Sequence, residues 1–381
     1  DFGVANALGA TDDRARRRRL LGLSLAVNLG ILGYFKYSGF FVDSAQELLG
    51  RVGLDDSMGT IEILLPVGIS FYTFQTLSYS IDVYRGVVEP ERRIDVFALY
   101  VAFFPQLVAG PIERASRLLP QLRALPGRMP AEHLRSGFRL LAFGVVQKVV
   151  LADMVAPHVN DIYADPGAAG TVGAIVGVVG FSIQIYGDFA GYSNIARGSS
   201  RLLGVELMVN FTEPYLSRSI TEFWRRWHIS LSTWLRDYLY ISLGGNRFGA
   251  RKTYRNLMLT MLLGGLWHGA SWTFVIWGAL HGLYLIVDRL VFRGEPATRG
   301  PRRWLNIVIT FHLVTLAWVF FRSVDVETAW TYLKVIGTWQ PSPAQWNELP
   351  WLSFKVIVAA VTVLALDLAQ RRTGHHAPGV A

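Results

Sequence analysis

The sequence predicts an all-α integral membrane protein whose chain enters the bilayer many times. Three observations carry this expectation. Of 381 residues, 51% are hydrophobic and only 17% are charged, with a mean hydropathy of +0.31; this is more apolar than an ordinary soluble domain. The charges clump between long apolar runs. The 12 Trp, 15 Tyr and 22 Phe suit aromatic belts at two membrane interfaces.

A net charge of +9 raises nucleic-acid binding, but the arginines flank apolar spans and form no stripe on a soluble face. The positive-inside rule accounts for them. There is no Cys, which excludes disulfides, a thiolate nucleophile and thiolate metal sites.

A full crossing needs about 20 apolar residues. Stretches free of Asp, Glu, Lys and Arg place candidate spans along the chain. The first is 20–35, running past Lys36 to 42, and the next is 63–81. Residues 96–112 form a shorter run containing Pro105 and Gly110-Pro111. Residues 140–162 are interrupted by Lys148, Asp153 and Asp161. Then come 166–187, 256–287, 304–321 and 349–366, the last carrying only Lys355.

Loop charges assign sides. Arg14 and the four arginines at 16–19 put the N-terminal side in the cytoplasm. The acidic loop 43–62 is then outside, and loop 82–95, with Arg85, Arg92 and Arg93, is cytoplasmic again. Loop 113–139 is also rich in Arg, so a full crossing at 96–112 would break the rule. Its Pro and Gly residues predict a broken or re-entrant segment, tolerated where protein or a water-filled cavity lines it.

The run 256–287 has basic residues on both flanks: Arg251, Lys252 and Arg255 before it, Arg289 and Arg293 after it. As a single helix it would be about 48 Å long, too long for one untilted crossing, while two full crossings need about 40 residues. A hairpin that dips in and returns fits best, broken at Gly264, Gly265 and Gly269. His268 would then lie about 18 Å along the helix, near mid-membrane.

Residues 188–255 are polar and rich in Arg and Trp, which predicts a cytoplasmic or interfacial segment. Ser219 or Thr221 would cap a helix through 222–228, whose mixture of Trp and Arg suits an interface. Gly244-Gly245-Asn246 marks a turn. The whole of 1–381 reads as a single membrane domain. It opens at Asp1, with neither Met nor a signal pattern, and is expected to lack further N-terminal membrane helices.

Among eight histidines, His268 asks for a chemical explanation. An ionisable side chain in an uncharged membrane segment is costly and marks function by default. Burial favours the neutral imidazole, the form that serves as a general base. The adjacent glycines let a thin substrate approach the backbone. The bland alternative is a buried His bonded to a neighbouring helix.

His281 and His312 read as structural, and His158 as a hydrogen-bonder at a span end. His133, His375 and His376 read as solvated. His228 is either a pocket residue or an interfacial aromatic. The histidines lack HxxH or HxxxH spacing, so no metal site is expected. Nucleotide-binding glycine patterns are absent. Arg225, Arg226, Arg236, Arg247 and Lys252 satisfy the positive-inside rule, or receive a phosphorylated donor or an acidic carrier protein.

Several motifs resemble one family. They include Phe223-Trp224-Arg225-Arg226-Trp227-His228-Ile229-Ser230, Trp234-Leu235-Arg236-Asp237-Tyr238-Leu239-Tyr240, Leu243-Gly244-Gly245-Asn246-Arg247 and Gly265-Leu266-Trp267-His268-Gly269-Ala270. Leu65-Pro66-Val67-Gly68, Phe104-Pro105-Gln106, Ala109-Gly110-Pro111-Ile112 and Gly187-Asp188-Phe189-Ala190-Gly191-Tyr192-Ser193 fit as well. Together, over nearly the whole chain, they resemble the membrane-bound O-acyltransferase (MBOAT) family, in the bacterial branch of the alginate O-acetyltransferase membrane subunit. Thr212 and Ser242 depart from its usual Asn and Pro.

The resemblance implies a multi-pass helical MBOAT fold with re-entrant segments and a transmembrane tunnel. His268 and His228 match the family's two functional histidines. Trp267, Arg225, Arg226, Trp227, Asn246 and Arg247 fall in its motifs as expected substrate contacts. No resident cofactor is implied; the acyl donor would be acetyl-CoA or an acyl carrier thioester.

The expected reaction is acyl transfer, most simply of acetyl, from the cytoplasm to a hydroxyl of an extracytoplasmic polysaccharide or a relay partner protein. The setting would be a bacterial cytoplasmic membrane, with membrane lipids, an extracytoplasmic acetyltransferase partner and a carrier protein around it. Within the family, the rivals are D-alanyl transfer to teichoic acid and acylation of a lipid or secondary metabolite. From another class, a transporter would show paired inverted repeats, and the sequence shows none.

Overall fold

The computed structural model describes residues 1–53, 64, 66–292, 296–297, 299–341 and 349–373. Among these residues every regular element is helical. Ile63, Leu65, Arg293, His375 and His376 lie outside the described residues. Five helical stretches are long and apolar enough to cross a membrane: Arg14–Arg51, Ala131–Ala164, Pro166–Leu202, Trp272–Val291 and Gly300–Arg322. The protein is thus an all-α membrane protein, as the composition predicts. The sequence gives no hint of an internal boundary, yet the chain divides into two compact units.

The first unit holds residues 1–129 and 203–207. Its helices are α1 (Phe2–Gly9), α2 (Arg14–Leu32), α3 (Ser38–Arg51), α4 (Ile69–Arg85), α5 (Ile94–Val101) and α6 (Ala115–Arg123), with a π-helical turn at Gly33–Tyr37 joining α2 to α3. The Asp13 carboxylate accepts the Ala15 N–H at 2.9 Å and caps α2.

The break expected within 96–112 is present. Helix α5 ends at Val101 and the chain turns through 103–109. Gln106 donates its side-chain amide to the Tyr100 carbonyl at 3.1 Å, giving the freed carbonyl a partner. Gly110 lies so close to the Gln106 backbone that no Cβ fits.

The second unit holds residues 130–202 and 208–381. In it α7 (Ala131–Val146), a π-helical turn (Gln147–Ala152) and α8 (Ala156–Ala164) pack on α9 (Pro166–Leu202), which is kinked at Gly170, where φ is 65°. The seam is made by glycine. A Cβ on Gly144 would press on the Gly191 carbonyl, and one on Gly191 on the Gly144 carbonyl. Small residues that admit close backbone approach are the usual contact between membrane helices. The span expected to end at Gly187 runs on to Leu202. Asp188, which closes the charge-free run, is paired with Lys148 across the seam and does not stop the helix.

The remaining helices are α10 (Ile220–Arg226), α11 (Ile229–Trp234), α12 (Gly249–His268), α13 (Trp272–Val291), α14 (Gly300–Arg322), α15 (Val326–Gly337) and α16 (Leu349–Thr373). The predicted hairpin is α12 and α13, broken at Gly269. Its limbs are longer than the charge-free count implied, at 20 residues each, or about 30 Å. Arg251, Lys252, Arg255, Asp288 and Arg289 are helical as well, so the charges do not mark the helix ends here. His268 consequently lies at the end of a limb, as the last residue of α12 beside the Gly269 turn, and not part-way along a helix.

Ser219 caps α10 by accepting the Glu222 N–H at 3.1 Å. Thr221 does not cap; its N–H and hydroxyl both go to the Asp288 carboxylate on α13. The predicted interfacial helix is also corrected. It ends at Arg226, before His228, and Trp224 and Trp227 are 9% and 3% exposed, inside the core. Their indoles pack with Phe223, Trp277 and Trp318, burying large apolar area that an interface would leave half wet.

Candidate active site

His228 sits between α10 and α11 in the left-handed region, with φ 42° and ψ 57°. A side chain held there costs on the order of 1–3 kcal/mol and persists only where neighbours over-determine it. Asn210 does so. Its carbonyl accepts the Ile229 N–H at 2.9 Å, and its side-chain oxygen accepts the Ser230 N–H at 3.1 Å. Its side-chain amide donates to Ser193 Oγ on α9 at 3.1 Å. The Thr212 N–H adds a bond to the Arg226 carbonyl at 3.0 Å. One buried asparagine therefore fastens the His228 turn to α9. A small polar cavity opens beside it, lined by Gln147, Ser193, Asn194, Asn210 and Phe211 among others.

Asn210→Ala removes two side-chain bonds and leaves the buried Ser230 N–H and Ser193 hydroxyl without those partners. Each loss costs about 1–3 kcal/mol, so the Tm of the purified protein should fall clearly. In a His228→Ala background the same substitution should leave turnover unchanged, since two groups that act as one unit are not additive. Equal fractional losses of turnover in both backgrounds would contradict this coupling.

The His228 imidazole is 1% exposed. It lies edge-on to Phe189 at 4.5 Å between ring centroids and reaches the Trp267 ring at 6.0 Å. Neither ring nitrogen has a hydrogen-bond partner among the described residues. Burial, with the charge of His268 adding to it, pushes its pKa well below the ordinary 6.5. The ring is neutral at physiological pH.

His268 is partly exposed and surrounded by rings. Trp267 lies at 5.0 Å, Trp277 at 5.1 Å, Phe321 at 5.1 Å and Phe274 at 6.4 Å. The Trp267 indole thus stands in ring contact with both histidines. Gly269 and Gly265 keep the turn tight: a Cβ on either would strike Phe274, at its ring or its carbonyl.

The other predicted contacts fall in different places. Trp227 is locked among Phe211, Phe223 and Trp318 at 5.0–5.5 Å, and Trp267 is buried beside His268. Arg226 is ion-paired to Glu222 at 2.6 Å and to Glu213 at 3.6 Å. Burial pushes the Glu222 carboxyl up, but Arg218 hydrogen bonds and the Arg226 charge outweigh it and hold the group below its usual range. Arg226 therefore serves the fold of the site and is not a free anion receptor.

Arg225 is exposed on α10. Asn246 and Arg247 are exposed on the turn before α12, which puts the length of that helix, about 30 Å, between them and His268. Of the other histidines, His158 accepts from Lys355 at 2.8 Å, as its hydrogen-bonding reading requires. His133, expected at the surface, is half-buried with its Nδ1 enclosed.

Sequence reasoning missed Asn210, which has no local signal, and undervalued Trp277. The latter did carry one: Trp277, His281, Tyr284 and Asp288 recur at the spacing of one helix face.

Comparison with known proteins agrees with the motifs. The family model for MBOAT, the membrane-bound O-acyltransferase family, matches residues 95–327. The probable alginate O-acetylase AlgI of Pseudomonas aeruginosa is 45% identical over 370 residues, covering 96% of this chain and 70% of that protein. A peptidoglycan O-acetyltransferase of Helicobacter pylori is 37% identical, covering 88% and 67%. A teichoic acid D-alanyltransferase of Streptococcus thermophilus is 29% identical, covering 69% of each. With the helical membrane fold and the paired histidines already in view, these likenesses give the identity: the chain belongs to the membrane-bound O-acyltransferase family and is an acyltransferase.

Proposed function

We propose that this enzyme transfers an acetyl group from a cytoplasmic thioester, acetyl-CoA or an acyl carrier protein, to a hydroxyl of an extracytoplasmic polysaccharide or of a partner protein that relays it. The observation that carries the reading is the pair of histidines on one indole, His228 at 6.0 Å and His268 at 5.0 Å from the Trp267 ring. The 45% and 37% identical relatives named for O-acetylation favour acetyl; the D-alanyl relative stands lower, at 29%.

In this mechanism His268 accepts the proton of the acceptor hydroxyl as that oxygen attacks the thioester carbonyl carbon. A C–O bond forms, the C–S bond breaks, and the proton passes from His268 to the leaving thiolate. The products are an ester and a free thiol. None of these 381 residues is Cys, and the transfer proposed is direct. Neutral His228 positions a reactant by hydrogen bonding. A tunnel between the two membrane faces, a bacterial cytoplasmic membrane location, and contacts of Arg225 and Arg247 with the donor or its carrier belong to the same proposal.

Expression in a bacterium deleted for its own O-acetylase tests it. Mass spectrometry of the surface polymer should recover acetyl esters. Recovery of D-alanyl esters alone would replace the acetyl assignment, and an unmodified polymer despite full expression and an intact partner set would remove it.

A further inference from the structure

His281 lies on α13 with its side chain fully buried. Phe223, Trp224, Trp277, Tyr284 and Trp318 surround it in ring contact. The Trp224 indole N–H meets its Nδ1 at 3.3 Å. An indole nitrogen only donates, so Nδ1 accepts, and the single proton of the neutral ring sits on Nε2. That Nε2–H has no hydrogen-bond partner among the described residues.

The two indoles beside it repeat the pattern. The Nε1–H groups of Trp277 and Trp318 are buried without partners among the described residues. Their rings lie 4.8 and 6.5 Å from His281 and 5.9 Å from each other. Among the described residues, three N–H donors and the Tyr284 hydroxyl, which can donate as well as accept, are left without hydrogen-bond partners in one aromatic cluster. Trp277 sets that cluster against His268, ring to ring at 5.1 Å. A buried donor left unmade is costly. Contacts of N–H groups with ring faces recover only part of that cost. The chemical complement of such a cluster is an uncharged oxygen that only accepts, which is a carbonyl.

We propose that His281 donates its Nε2–H to a carbonyl oxygen of the acyl donor, in a site shared with Trp277 and Trp318. The inference rests on the acyl-transfer reading. A neutral imidazole is a fitting donor because it adds no buried cation, and triosephosphate isomerase uses one to polarise a carbonyl. As the acceptor oxygen adds to the thioester carbon, the carbonyl π pair moves onto oxygen and the hydrogen bond strengthens. As the C–S bond breaks, the pair returns and the bond relaxes. Acetyl-CoA also carries amide carbonyls along its arm, which would use the same donor without a charge change.

The test compares His281→Leu with His281→Gln in the full chain in lipid nanodiscs, with acetyl-CoA as donor. Gln keeps an acceptor for Trp224 and a donor of its own; Leu keeps only bulk. Leu should lower kcat about 10²–10³-fold if the reacting carbonyl is held, or raise KM for acetyl-CoA with kcat kept if an arm amide is held, and Gln should recover most of either loss. The infrared carbonyl band of a bound ketone analogue, with methylene replacing the thioester sulfur, gives a readout that packing alone does not move. If the reacting carbonyl is held, that band lies low in the wild type and His281→Gln and returns toward its free position in His281→Leu. If an arm amide is held, the amide band makes the same shift.

Values of kcat and KM within twofold of wild type in His281→Leu would overturn the proposal. So would carbonyl and amide bands that are the same in all three proteins. A wild-type protein that transfers from no thioester would remove the acyl-transfer reading, and this inference with it.

Discussion

Replacing His268 with alanine should lower acyl transfer by about 10² to 10⁴, the range a general base contributes, while the protein stays folded. The expectation rests on where His268 is. It ends α12 and is partly exposed, so removing the imidazole deletes a proton acceptor, and its ring contacts are lost at a helix end and not in the closed core. Helix content and Tm in detergent should stay close to wild type. The measurement is the initial rate of label transfer from an acetyl thioester, with the fold checked on the same sample. Wild-type rates in His268→Ala would end the general-base assignment, and a collapse of Tm would show that the residue is structural.

The second large effect is on the α12–α13 hairpin. Gly265 packs on the Phe274 carbonyl and on Gly278, and Gly278 packs on the Met261 carbonyl. Side chains at these crossings meet backbone atoms, which cannot rotate away. Gly265→Val should therefore force the helices apart at a cost above the 1–3 kcal/mol typical of overpacking. The damage falls on His268, three residues on, so activity should disappear together with Tm. Gly22→Ala on α2 is the control, because a Cβ there meets nothing, and it should be neutral or slightly stabilising by helix propensity. If Gly265→Val kept both Tm and turnover, the crossing would be looser than these contacts require.

Much of this was legible in the sequence, for identifiable reasons. Hydropathy alone predicts a helical membrane protein because lipid leaves unpaired backbone groups no partner. The break at Gly269 and the break after Val101 were both marked by Gly and Pro. Helix ends were less legible. Counting charge-free residues stops at Asp188 and Asp288, yet both are helical and partnered, by Lys148 and Thr221. A charge that finds a partner across the fold carries no boundary signal.

The site divides in the same way. Trp267 and His268 are adjacent in sequence, so their meeting was visible. The approach of His228 was not, because it depends on a left-handed turn held by Asn210, 18 positions earlier. His281 looked like a structural histidine, and its bond from Trp224 supports that. Only the tertiary structure shows that this same bond leaves its other nitrogen with a proton to give.

The ring wall around His268 has a bearing on fidelity. A base strong enough to activate a sugar hydroxyl activates water equally well, and water is far more abundant. Nothing in the imidazole itself tells the two apart. Phe274 and Phe321 line two sides of it with carbon, which gives a stray water little to hold there while a larger acceptor can spread its apolar faces against them. In such a site the partition between transfer and wasteful hydrolysis is decided by the walls and not by the base.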